Sequence, residues 1–246
     1  MRARVVPAMQ GARWLASGWR IFRGAPFAWL AATLAYWVTM SLVSLVPLVG
    51  GAAAIALVPA FTVGFMALAR AARQGARLEL ALLFEGFRRD PRAQLVLGLL
   101  YLAALSAALW ASAAADGGVL ARWVLTGRRP LPEALDADAM LAAAALAAAA
   151  YLPVMVAFWF APPLAAWHAL SPGKALFFSL FACLMNWRAM LVYGAAAAAI
   201  TLPLPLALGL AAPLFAALLV LLLPVLFASF FASYEDVFGY DVSPSP

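Results

Sequence analysis

Residues 139–161 read AMLAAAALAAAAYLPVMVAFWFA, a run of 23 residues without a charged side chain. At a rise of about 1.5 Å per residue, a helix of this length extends for roughly 35 Å. The hydrocarbon core of a bilayer is about 30 Å thick. The run therefore predicts a transmembrane helix.

Five more stretches of this kind occur along the chain, and none contains Asp, Glu, Lys, Arg or His. They are Phe27–Val49, Gly51–Ala69, Ala93–Ala115, Ala189–Leu210 and Ala212–Ser233. We therefore predict six transmembrane helices, the fifth of them bent or broken where Pro203 and Pro205 interrupt it.

The composition agrees with lipid as the main solvent. Of the 246 residues, 67% are hydrophobic and 11% are charged, whereas a soluble domain is about half apolar and about a quarter charged. One core of this size could not bury so much apolar surface. With a single cysteine, Cys183, no intrachain disulfide forms. The composition thus excludes a cytosolic globular protein, a disordered chain and a disulfide-stabilised secreted domain.

The charges between the predicted spans are distributed unevenly. With six spans, the N-terminal segment and the loops after spans two and four lie on one side and carry 13 of the 16 Lys and Arg residues. The other side carries only Arg122, Arg128 and Arg129. Since basic loops stay in the cytoplasm, we expect both termini there. Fifteen of the 16 basic residues are Arg and alanine is abundant, as in a GC-rich bacterial genome, so we expect a bacterial inner membrane.

The first 26 residues predict a structured segment and no cleavable signal peptide, because the apolar run that follows is too long for one. The polar side of a helix here comprises Gln10, Arg13, Ser17 and Arg20, and the apolar side comprises Met9, Ala12, Leu15, Trp19 and Phe22. With Trp14 and Trp19, this pattern favours an amphipathic helix in the cytoplasmic interface, bound to anionic lipid. The alternative is a cytosolic helix packed on a partner protein.

Two further segments repeat this pattern. Leu78–Arg89 places Leu80, Leu83, Phe84 and Phe87 on one face and allows an i,i+4 pair between Glu85 and Arg89. Ser171 and Pro172 predict an N-cap and first turn of a third helix, which is too short to span. Its two faces comprise Leu176, Phe177, Leu180, Phe181 and Leu184 on one side and Ala175, Ser179, Ala182 and Asn186 on the other.

The three segments belong to an internal repeat. Phe22-Arg-Gly-Ala-Pro-Phe-Ala-Trp-Leu30 aligns with Phe87-Arg-Arg-Asp-Pro-Arg-Ala-Gln-Leu95 and, more weakly, with Cys183-Leu-Met-Asn-Trp-Arg-Ala-Met-Leu191. Pro59, Pro153 and Pro224 are each followed by alanine eight residues later. We predict an all-α membrane bundle of six transmembrane and three cytoplasmic interfacial helices, with a threefold parallel repeat. One membrane domain covers 1–238, with units at about 7–70, 78–168 and 171–236, and a short cytoplasmic tail covers 239–246.

Several stretches resemble a family of proteobacterial inner-membrane proteins without an assigned activity. They are Phe87-Arg-Arg-Asp-Pro-Arg-Ala93, Phe160-Ala-Pro-Pro-Leu-Ala-Ala-Trp-His168, Ser171-Pro-Gly-Lys-Ala-Leu-Phe-Phe178 and Leu226–Phe238. The resemblance extends from the N-terminal helix to Phe238. It implies a polytopic inner-membrane protein and assigns no catalytic or binding residue.

Catalytic chemistry is not indicated by the sequence. His168 and Ser171 are three residues apart, but no acidic residue nearby in sequence would orient the imidazole, and we interpret His168 as a polar interfacial side chain. Metal ligands do not cluster, phosphate-binding glycine loops are absent, and no basic stripe suits nucleic acid. We expect no enzyme and no cofactor.

The spans suggest a polar seam and the junctions suggest lipid contacts. Tyr36, Trp37, Tyr101 and Tyr151 lie near the middle of their spans, where they either surround a small cavity or pack as ordinary interhelical contacts. The junction residues Arg23, Arg88 and Arg188 are candidate contacts to lipid phosphate.

The leading hypothesis is a non-enzymatic protein that organises anionic lipid or assists an envelope partner. The alternative is a transporter or flippase for an amphipathic molecule or lipid.

Overall fold

The computed structural model describes residues 3–131, 136–201 and 212–239, with side chains of the last segment described from residue 222 onward. The expected interruption at Pro203 and Pro205 and nearly all of the tail lie outside these residues. The described residues are helical or irregular. The helices are α1 Gln10–Gly24, α2 Pro26–Ser44, α3 Gly50–Arg73, α4 Glu85–Arg89, α5 Pro91–Ala111, α6 Ala113–Asp116, α7 Val119–Thr126, α8 Ala137–Trp159, α9 Ala161–His168, α10 Pro172–Met185, α11 Trp187–Thr201 and α12 Ala212–Phe238; a 3-10 turn, Leu80–Phe84, precedes α4.

Proline and aspartate begin several of these helices. Proline lies in the first turn of α2, α5 and α10, where its missing N–H costs nothing. Asp90 accepts a hydrogen bond from Ala93 N at the start of α5, and Asp136 accepts two at the start of α8. Ser171 lies at the N-cap position of α10, as predicted, but its side chain makes no capping hydrogen bond.

Among the residues that the structure describes, four helical segments are long and apolar enough to cross a membrane. They are Pro26–Ser44, Gly50–Arg73, Pro91–Asp116 and Ala137–His168. A fifth exists if α10 and α11, whose axes are bent by 83°, form one broken span. The protein is therefore a helical bundle with several membrane-capable helices, which confirms the predicted class.

The outer surface of the bundle is apolar. Only 22% of the apolar window of α2 and 6% of that of α8 is buried within the protein. Phe27, Leu34, Leu99 and Leu141 are among the large side chains that remain exposed. In water such a surface would be an aggregation hazard, but in a bilayer it faces lipid tails.

Helix α1 packs against the rest of the chain. Trp14, Leu15, Ile21 and Phe22 are buried, chiefly against α11 and α12. Trp14 is not an interfacial anchor, because it is 1% exposed and its indole N–H donates to Asp236 at 2.7 Å. Helix α1 thus packs on other helices of the same chain, while Trp19 is half exposed.

Helix α10 buries its small residues and exposes its large apolar ones, which is the reverse of a surface helix in a soluble protein. Its small side chains, including Ala175, Ser179 and Ala182, are buried against α8 and α9. Phe177 and Phe181 are exposed. In lipid, small residues allow helices to approach closely and large apolar ones face the tails.

The short segment before α5 packs on α3. The predicted helix at Leu78–Arg89 is a 3-10 turn followed by the five-residue α4. Leu83 is fully buried, whereas Leu80 and Phe84 are partly exposed, so only one of the four predicted apolar residues is fully buried. The predicted pair between Glu85 and Arg89 is confirmed at 3.5 Å.

Candidate functional site

A cavity of about 390 Å³ lies among the long helices α3, α5, α8, α11 and α12. Its walls are mostly aromatic and aliphatic. The lining residues are Val58, Pro59, Thr62, Tyr101, Tyr151, Met155, Phe158, Trp159, Pro162, Tyr193, Leu223, Leu226, Phe227 and Phe230. None of these side chains is charged at neutral pH. Its volume falls within the range of about 300–1,000 Å³ that is typical of ligand pockets.

Two phenols meet in this cavity. The hydroxyl oxygens of Tyr101 and Tyr151 lie 2.9 Å apart, and the ring of Tyr101 packs edge-on against Phe158. Tyr101 is ten residues from either end of α5, which places it near the middle of that helix. Of the four residues predicted to form a polar seam, the structure brings Tyr101 and Tyr151 together on the cavity wall.

The other polar groups on the wall already have partners. The Tyr193 hydroxyl lies 2.8 Å from that of Ser229, and Thr62 donates to Val58 O within its own helix. The indole N–H of Trp159 points to Ser233 at 3.5 Å. The Tyr101–Tyr151 pair is thus the part of the wall best placed to engage a ligand.

The break between α8 and α9 lies beside the cavity, where Pro162 is a lining residue. Ser179 bridges the break, because its hydroxyl accepts from Phe160 N at 2.8 Å and donates to Val156 O at 3.1 Å. Nearby, Gln94 donates to Pro162 O at 3.0 Å. Its side-chain oxygen has no partner among the described residues.

The other two seam candidates do not line the cavity. Tyr36 packs edge-on against Phe61 and Phe65, and Trp37 is half exposed on the outer side of α2. The structure therefore does not bring these two residues to the Tyr101–Tyr151 pair.

Sequence reasoning missed Thr62, Trp159 and Tyr193 as lining residues. Trp159 lies at the end of α8, and Tyr193 is the seventh residue of α11, so neither is at the middle of a predicted span. Proline is the sequence signal that could have indicated the position of the cavity. Pro59 and Pro162 both line the cavity, and proline inside a membrane helix occurs where neighbouring groups satisfy the interrupted backbone.

Charged groups gather at one end of the bundle. Glu85 lies 2.9 Å from Arg70 and also accepts from the indole N–H of Trp167 at 3.1 Å, while the guanidinium of Arg70 lies over that indole ring. Arg73 pairs with Glu235 at 3.1 Å, near the end of α12. These contacts join α3, α4, α9 and α12 and hold the ends of these helices together.

His168 belongs to the same end. Its Nε2 lies 2.7 Å from the Tyr234 hydroxyl, and no carboxylate pairs with it among the described residues. Within the part of the chain that the structure describes, no group of three His, Cys, Asp or Glu side chains could hold a metal ion.

The three candidate phosphate contacts remain free of ion pairs among the described residues. Arg23, Arg88 and Arg188 are all exposed, and Arg188 lies over the ring of Trp187 at 5.3 Å. They lie at three separate helix junctions, and the structure does not bring them together in one site.

Comparison with known proteins gives one informative relative. A Burkholderia thailandensis protein named "Probable inner membrane protein" is 40% identical over 195 residues, which cover 77% of this chain and 72% of the relative. The chain belongs to this inner-membrane protein family. No family model matches, and no solved structure matches. This membership agrees with the resemblance found in the sequence, since the relative is proteobacterial, and with the membrane-capable helices of the structure. It assigns no activity.

Proposed function

We propose that this inner-membrane protein binds an amphipathic molecule in the cavity between its helices and passes it within or across the bilayer. The cavity carries this proposal, because its walls are apolar while one hydrogen-bonding pair lies at mid-helix. Small-molecule sites combine these two properties. The role is non-enzymatic, since the site holds no nucleophile paired with a base.

Filling the cavity tests this function. Met155→Trp adds a large ring to the wall, whereas Leu152→Trp adds the same ring to the exposed side of the same helix. We expect lipid extracted with the wild-type protein to stabilise it against heat, and this stabilisation to fall in Met155→Trp only. Equal behaviour of the two variants would contradict a ligand role for the cavity.

A second candidate function is the organisation of anionic lipid, alone or for an envelope partner. It is favoured by the exposed, unpaired Arg23, Arg88 and Arg188 and by the exposed aromatic face of α10. Arginine binds phosphate through several donors while its stem stays in the apolar region. Each contact near an anionic surface is worth about 1 kcal/mol, so one loss should be tolerated.

Charge reversal at the three junctions tests this second candidate. The triple variant Arg23→Glu, Arg88→Glu and Arg188→Glu should bind phosphatidylglycerol nanodiscs more weakly than the matched triple at Arg122, Arg128 and Arg129. If a correctly inserted junction variant binds as well as wild type, the arginines serve orientation alone.

We propose six spans with both termini in the cytoplasm. The contact between the two ends of the described chain supports an even number of crossings, since Arg4 N donates to Val237 O at 2.7 Å. The basic residues counted along the sequence support the cytoplasmic side for this end. Beyond α2, α3, α5 and α8, six spans require two further crossings, one by α11 and one by α12. The 83° bend between α10 and α11 leaves room for α10 to lie near the membrane plane while α11 crosses.

We also propose that the chain is a threefold repeat whose units interlock in a ring. Gly18 of the first unit lies against Ser229, Leu83 of the second lies against Gly64, and Ser179 of the third hydrogen-bonds Phe160. Each contact joins the leading segment of one unit to the second long helix of the preceding unit. Gly18, Leu83 and Ser179 also occupy one aligned position, four residues before the junctions matched in sequence.

A further inference from the structure

The hydroxyl pair at Tyr101 and Tyr151 contains more donors than its own bond uses. Two phenols carry two protons, and the bond between them at 2.9 Å uses one. Neither hydroxyl has another hydrogen-bond partner among the described residues. Water is scarce at this depth of a bilayer, and an unpaired donor there costs free energy. One phenol proton therefore has no hydrogen-bond acceptor among the described residues.

The same wall is unsuited to a charged group. Its lining side chains include no Lys, Arg, Asp, Glu or His. A phosphate or ammonium group beside Tyr101 would lie near the middle of α5, about 15 Å from either end, without a counter-charge. Ionised groups at such depth are costly unless they are paired. The acceptor that fits this place is uncharged.

We propose that the cavity binds an uncharged amphiphile that presents a carbonyl oxygen to the Tyr101–Tyr151 pair. This inference rests on the proposed function and names its substrate class. Two sources supply such an oxygen in a bacterial membrane: the ring of an isoprenoid quinone and the ester of a diacylglycerol. In both, an apolar chain would pack on the aromatic and aliphatic wall, including Phe158 and Phe227.

The test compares four probes on the purified full-length protein in micelles by native mass spectrometry. They are a short-chain ubiquinone, dioleoylglycerol, phosphatidylglycerol and the hydrocarbon squalane. We expect at least one of the two uncharged carbonyl probes to bind about tenfold more tightly than both of the others. Preference for ubiquinone or for dioleoylglycerol identifies the source. Equal binding of phosphatidylglycerol or squalane overturns the proposed class.

Removal of the two hydroxyls provides the second measurement. The double variant Tyr101→Phe, Tyr151→Phe keeps both rings and should bind the preferred carbonyl probe about five- to tenfold more weakly, with squalane unchanged. Tyr36→Phe is the control, because Tyr36 lies outside the cavity. An unchanged carbonyl preference in the double variant contradicts the inference. If that variant fails to fold, the wild-type comparison of carbonyl probes with squalane decides.

Failure of the inference and failure of the proposed function have different outcomes. If Met155→Trp blocks the probes but loss of the hydroxyls changes nothing, the cavity binds ligands without the carbonyl contact. If no probe binds the wild-type protein, or Met155→Trp leaves binding unchanged, the cavity itself has no ligand role.

Discussion

At the scale of the residue, glycine permits the closest helix contacts. A Cβ at Gly64 would overlap the backbone of Leu83, whereas Gly51 on the same helix faces open space. Alanine is a better helix former than glycine by up to about 1 kcal/mol. We therefore expect Gly51→Ala to be neutral or stabilising and Gly64→Ala to lower the free energy of unfolding by about 1–3 kcal/mol. Unfolding in mixed micelles measures both, and equal stabilities would contradict this packing.

The ion pairs at the end of the bundle contribute differently to the free energy of unfolding, because they differ in burial. Glu85 is 11% exposed and compensates Arg70, whereas Arg89 is 57% exposed. Glu85→Ala leaves Arg70 and the indole N–H of Trp167 without their acceptor and should cost about 3 kcal/mol. Arg89→Ala should cost about 0.5 kcal/mol or less. A double-mutant cycle of Glu85 and Arg70 checks the origin of the loss, since additive effects would exclude a coupled pair.

Single residues in an apolar helix are only partly predictable from sequence. Tyr101 and Tyr151 could be singled out because a phenol in mid-span needs a partner. Tyr36 and Trp37 also lie in mid-span, but their helix, α2, does not line the cavity. A helix that is apolar all round carries no periodic signal that separates its lipid side from its protein side. The composition therefore indicates membrane-capable helices, whereas the position of the cavity depends on how they pack.

At the scale of the element, lipid reverses the usual amphipathic rule. Helix α10 buries Ser179 and exposes Phe181, and its sequence pattern alone suggests the reverse. Ser179→Leu should lower stability by about 2–3 kcal/mol, because Phe160 N loses its acceptor and the larger side chain does not fit. Phe181→Leu should change stability by less than about 0.5 kcal/mol. Thermal unfolding in micelles compares them, and greater damage from Phe181→Leu would place the aromatic face inside.

At the scale of the whole molecule, the distribution of charge is the most predictive signal. Arg70, Arg73 and Glu85 lie close together in sequence, whereas Glu235 is far from them, and the fold brings all four to the same end. The sequence predicts this gathering, because all four lie in segments assigned to one side of the membrane. It does not predict the pairs themselves, which depend on how α3, α4 and α12 approach one another.

The proposed membrane topology can be tested directly by cysteine labelling. In a Cys183→Ser background, we introduce single cysteines by Ala76→Cys, Thr126→Cys and Ser245→Cys in the full-length chain. If both termini are cytoplasmic, a membrane-impermeant maleimide should label positions 76 and 245 only in inverted vesicles. Position 126, at the end of α7 in the segment that connects α5 and α8, should be labelled in spheroplasts. Labelling of position 245 from outside would mean an odd number of crossings, so that only one of α11 and α12 would cross the membrane. The threefold repeat would fail with it, since a unit that crosses once cannot be equivalent to units that cross twice and return.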